Sequence, residues 1–193
     1  MSDNLKLTIS KSPTRRALAM VEYSTVASGI IALDIITKAA EVDILAAQTI
    51  CPGKYMVIFC GGLGAVKAAL EAARRTPNLM DEFLLGRPHA SIFPALSGAG
   101  ISPKKAALGL IETTTGATAI KAADTAAKTS WVSLAEIRVA HGMCGKSTVI
   151  FTGEVAAVTA ALDAAKNEAA EKGMLLDTAL IPNPDDKMLA AMV

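Results

Sequence analysis

A chain of 193 residues fits one large domain or two small ones and is long enough to bury a core. Its hydrophobic content of 52% rests on Ala, Val, Ile and Leu, because aromatics supply only 4%, a composition suited to helices packed closely on a sheet. With 19 basic against 18 acidic side chains and no long run of one sign, a nucleic-acid or anionic-membrane surface is excluded as its main business.

In chain order, residues 1–15 form a polar N-terminal extension without the charged and apolar regions of a secretory signal, which points to cytosolic residence. Leu18 to Val21 reads as an apolar strand, and Ser24 is the expected N-cap of a helix reaching about Ala40 with an apolar face of Val26, Ile30, Leu33 and Ile36. Asp34, Lys38, Glu41 and Asp43 break this richest apolar region, so no stretch approaches the ~20 residues that span a bilayer. Ile44 to Ile50 and Tyr55 to Phe59 read as strands joined by the turn Cys51-Pro52-Gly53-Lys54. Gly61-Gly62 opens a helix from Leu63 to Arg75, and Phe83 to Leu85 supplies a last short strand. Leu96 to Pro103 is small, Gly-rich and ends in proline, as a linker does, and places a boundary near Ser102.

The second half repeats the first. Ala17-Leu18-Ala19-Met20-Val21-Glu22 lies over Ala107-Leu108-Gly109-Leu110-Ile111-Glu112 at an offset of 90 residues, which continues through Asp34/Asp124, Lys38/Lys128 and Val42/Val132. After a two-residue insertion the match resumes as Gly53-Lys54/Gly145-Lys146 and Val57-Ile58-Phe59/Val149-Ile150-Phe151. Such self-similarity marks a tandem duplication. Two domains are therefore expected, over residues 16–101 and 102–193. Each is an α/β (α+β) sandwich with a mostly antiparallel four-stranded sheet and helices on one face; Leu180-Ile181 closes the second.

Enzyme signatures are weak. Ala140 to Ser147 nearly fits a phosphate loop, but that loop needs a helix after Gly-Lys-Ser, and Thr148-Val149-Ile150-Phe151 is β-branched and predicts a strand. Gly61-Gly62-Leu63-Gly64 is explained by helix capping and close packing. No serine-hydrolase motif or paired carboxylates accompany the two histidines, His89 and His141, so no catalytic residue is assigned and the protein is not expected to be an enzyme. Cys51, Cys60 and Cys144 form no CxxC pair and no even disulfide framework. Cys60 shares a strand face with Ile58 and Met56 and reads as a packed hydrophobe. The turn alone leaves Cys51 open as either a small loop residue or a ligand.

The pattern Ala-Leu-Gly-Leu-Ile-Glu at 107–112, Asp124-x-x-x-Lys128, Gly-Lys before an apolar strand and Gly-x-x-x-Ala-Val before a helix resembles the bacterial microcompartment shell-domain family in both halves. The resemblance covers about residues 16–190 and is to the tandem-domain members, whose shell domains are of a ferredoxin-like type and in which three chains form a pseudo-hexameric tile. The segments Thr49 to Lys54, Pro88 to Ser91 and Pro94 to Gly98 resemble the propanediol-utilisation iron-sulfur subtype.

That resemblance implies a homotrimeric shell tile in the microcompartment wall, with Cys51, Pro52 and Gly53 on one pore loop and His141, Gly142, Met143 and Cys144 on the other. It further implies one 4Fe-4S cluster per trimer, held at the pore by Cys51 from three chains, for electron transfer across the shell to enclosed redox enzymes. Three thiolates supply three of the four ligands a cubane takes. The alternative is a cluster-free tile whose pore conducts a small metabolite. His141 and Cys144 depart from the subtype: His-x-x-Cys offers further ligands or a proton-responsive group, with an ordinary loop as the simpler reading. At the tile edge the family's lysine matches Lys38 and Lys128, and its edge arginine matches Arg87, whereas the second half has Asn183. Neighbouring tiles are therefore expected to include other shell proteins.

Overall fold

The structure, a computed structural model, describes residues 17–100, 106–140 and 142–192. The extension over 1–15, the boundary near Ser102 and His141 lie outside the described residues. The first repeat runs β1 (Ala17–Tyr23), α1 (Val26–Ala39), β2 (Asp43–Ile50), β3 (Lys54–Gly61), α2 (Leu63–Ala73), β4 (Leu79–Leu85) and α3 (Ile92–Leu96). The second runs β5 (Ala107–Thr113), α4 (Gly116–Thr129), β6 (Val132–Val139), β7 (Ser147–Gly153), α5 (Val155–Glu171), β8 (Leu175–Ile181) and α6 (Asp186–Met192). The strands pair antiparallel as two sheets, β2-β3-β1-β4 and β6-β7-β5-β8.

The duplication extends to irregularities: register shifts fall between Ile44 and Ala46 and between Leu134 and Glu136, and again after Glu22 and Glu112. The tandem α/β organisation read from the repeat is borne out. The strand at Ser147 also removes the phosphate-loop reading, because no helix follows Gly145-Lys146.

Helix α1 differs from expectation in two respects. Its N-cap is Thr25, not Ser24: the Thr25 hydroxyl accepts from the Ser28 amide at 3.4 Å, as Thr115 does from Thr118 in α4. Its buried face is Ser28, Gly29, Ala32 and Ile36, whereas Ile30 is 53% exposed. Small residues face inward because the helix sits close to the sheet; a Cβ on Gly29 would lie 2.3 Å from the Tyr55 Cβ.

The last strands, β4 and β8, are also longer than expected, because pairing with the buried β1 and β5 carries them through polar residues. The expected linker is partly structural. Ile92, Phe93, Ala95 and Leu96 are buried on α3, and a Cβ on Gly100 would meet the Ala135 carbonyl at 1.8 Å. Each sheet carries its own helix pair on one face. The opposite face of the first sheet, with Leu18, Met20, Met56, Ile58 and Phe83, joins α3, α4 and the second domain in one continuous core.

Candidate functional site

The β2–β3 turn is tight. Ile50 pairs with Lys54, the Gly53 amide donates to the Ile50 carbonyl at 3.0 Å, Gly53 lies at φ +93, and the Cys51–Pro52 bond is cis. Cys51, Pro52 and Gly53 are all exposed at its tip.

The longer β6–β7 loop coils through left-handed backbone at Ala140, Gly142, Cys144 and Gly145, and the Lys146 amide donates to the Met143 carbonyl at 3.0 Å. Gly142 and Cys144 are exposed and Met143 is half-buried. The two turns meet: a Cβ on Gly145 would stand 2.8 Å from the Cys51 carbonyl oxygen and 3.2 Å from the Lys54 ammonium. A sequence offset alone does not give this contact within one chain.

A carboxylate sits behind the loops. Glu22 is fully buried, accepts from Lys54 Nζ at 2.9 Å and from the Gly116 amide at 3.0 Å, and so ties β1, the first turn and the N-terminus of α4 together. Burial raises its carboxyl above the ordinary 4.5, against the opposing pull of Lys54. Asp81 does the same work one strand over. It accepts from Thr115 Oγ1 at 2.5 Å, Thr118 Oγ1 at 2.7 Å and Lys172 Nζ at 2.6 Å, all from the second domain. Burial pushes its carboxyl up, but these donors together hold it below the ordinary 3.8. Sequence reasoning missed both carboxylates; the signal available for Glu22 was a glutamate repeated inside two apolar strands, as Glu112.

Cys51 and Cys144 are free and exposed, and Cys60 is buried beside Ile58 and Met56, as its strand position predicts. Among the described residues no group of three or more His, Cys, Asp or Glu stands ready for a metal within one chain. A metal site on Cys51 would therefore need ligands from other copies.

The residues expected at a tile edge lie at the other end of the sheets. Asp43 pairs with Cys60 and Leu18 with both Cys60 and Leu85, so the ends of α1, β4 and β3 share one margin, roughly 25 Å along eight-residue strands from the Cys51 turn. Lys38 bonds Asp34 at 2.7 Å in the open, and Lys128 bonds Asp124 at 2.5 Å, where Asp124 is buried and also accepts from the His89 amide at 2.6 Å. Arg87 and Asn183 are exposed after β4 and β8. Trp131, which sequence reasoning passed over, stands on this margin almost wholly in solvent.

The BMC domain model matches residues 17–88 and again 107–184, covering both sandwiches. The chain belongs to the bacterial microcompartment shell family. The shell protein PduT of Citrobacter freundii is 37% identical over 180 residues, 92% of this chain and 98% of that protein. The crystal structure of a microcompartment protein from Desulfitobacterium hafniense DCB superposes with a TM-score of 0.79 at 42% identity, covering 90% of this chain and 97% of that one. A carboxysome shell protein, CsoS1C of Hydrogenovibrio crunogenus, is 33% identical over 94 residues, 46% of this chain and 92% of its own, as a single-domain relative of a tandem protein would be. This is accordingly a tandem-domain structural protein of microcompartment shells. No helix among the described residues is long and apolar enough to cross a membrane.

Proposed function

We propose that three copies close into a pseudo-hexameric tile whose centre is lined by the Cys51 and Cys144 loops. The observation that carries this is a broken equivalence. Ile120 on α4 is fully buried while its repeat mate Ile30 on α1 is 53% exposed. Ile120 shares its helix face with Asp124, which binds the His89 amide of the first domain, so that stripe is covered by the other domain. The stripe on α1 lacks a cover. Likewise α3 buries four residues while α6 buries none, and Leu176 and Leu180 on β8 are exposed.

One chain therefore contains one head-to-tail interface made and half of each of two more unmade. Repeating the made interface joins α1 of one copy to β8 and α6 of another, and head-to-tail contacts that close give a ring. Glu112 and Asp177 stand where Glu22 and Asp81 stand, ready to accept from the Thr25–Ser28 turn of the next copy. Ring closure brings three Cys51 turns to one axis.

We further infer that these three thiolates hold a 4Fe-4S cluster, as the resemblance of the Thr49–Lys54 segment implies. When bound, such a group supplies one-electron transfer across the wall. The chain's own contribution is the exposed thiol on a rigid turn, braced from behind by the Glu22–Lys54 pair. Anaerobic purification with iron and acid-labile sulfide counted per assembly tests this reading. About four irons per trimer, lost in Cys51→Ser with the trimer intact, is the expected result. An intact trimer without iron after reconstitution contradicts the cluster and leaves a pore for a small metabolite.

A further inference from the structure

The internal repeat makes the two kinds of rim edge unlike, and we propose that tiles of this protein join one kind of edge to the other. The inference rests on the three-chain reading above. The edge formed within one chain carries Arg87, His89, Lys128 and Trp131. Trp131 is 98% exposed and borders an open cavity of about 620 Å³, lined also by His89, Lys128 and Ser133.

A fully exposed indole beside a cavity is what a docking surface uses, since aromatic anchors carry a large share of interface energy. Two cationic groups, Arg87 and Lys128, belong to this edge, where Lys128 is bonded to the buried Asp124.

The edge formed between chains draws on the repeat mates. Glu41 replaces Trp131, Asn183 replaces Arg87, Asp185 precedes α6 and Asp186 opens it. With Asp34 these acids outnumber Lys38 and Lys187, and all are exposed. One edge is thus cationic and aromatic, and the other acidic. Like edges repel across a joint and unlike edges attract.

Around a six-sided tile the two kinds alternate, so opposite sides differ. Tiles related by translation alone place unlike edges together, whereas tiles turned by half a revolution place like edges together. The occupant of the Trp131 cavity is therefore the acidic rim of a second copy in the same orientation.

Concentrated wild-type protein, viewed by electron microscopy with solution mass measured in parallel, is compared with Trp131→Ala, Arg87→Glu, Glu41→Arg and the combined Arg87→Glu/Glu41→Arg. Wild-type sheets with one trimer per repeating cell are expected. Each single substitution raises the concentration needed for sheets by about tenfold, and the charge swap restores it. Sheets that ignore Trp131→Ala, a swap no better than its single parents, two oppositely turned trimers per cell, or intact trimers that never form sheets would each overturn the proposal. A monomeric mass instead overturns the three-chain reading, and the edge pairing with it.

Discussion

Gly145 joins two facts that residue chemistry makes inseparable: a left-handed backbone at φ +86 and contact with the Cys51 carbonyl. A methyl group there is opposed by both, so Gly145→Ala is expected to cost about 1–3 kcal/mol and to lower the melting temperature by several degrees, measured calorimetrically. Gly64→Ala is the contrasting case, because its Cβ meets nothing within 4 Å on helix α2, and it raises the melting temperature slightly. The exposed position of Cys51 was legible from Pro52 and Gly53, which mark a turn. Its neighbour across the domain boundary was not, because a contact between two loops some ninety residues apart leaves no local pattern. Trp131 was equally silent: a lone tryptophan reads as core until its surroundings are known.

At the scale of elements, the docking of α4 on β4 depends on Asp81. Its carboxyl is held below 3.8 in the folded chain, so its contribution is present above that pH and is lost as pH falls through the lowered value. Glu22 has the opposite sign. Its raised carboxyl contributes most below 4.5, and that contribution is lost as pH rises through the raised value. Acid unfolding followed by circular dichroism is expected to show a flatter acid limb in Asp81→Asn and a steeper one in Glu22→Gln, relative to wild type.

Element order and the tandem plan were readable because hydrophobic runs, turn residues and the repeat agreed with one another. The face of α1 was not readable. Hydropathy marks Ile30 as apolar, but whether it faces the chain's own core or a neighbour depends on where the second domain docks.

At the scale of the molecule, the three-chain proposal makes one chain the bearer of matching halves of an interface it cannot close by itself. Ile120→Ala removes packing inside the chain and is expected to cost about 2–5 kcal/mol of stability, read from denaturant midpoints. Ile30→Asp changes a position already in solvent in the single chain, so it leaves the fold intact and acts on association alone.

The most direct test is the solution mass of the native protein beside Ile30→Asp. Closure of a trimer through α1 predicts a wild-type mass of three 19.9 kDa chains and a folded Ile30→Asp monomer. A wild-type monomer, or an Ile30→Asp protein that remains trimeric, would contradict it.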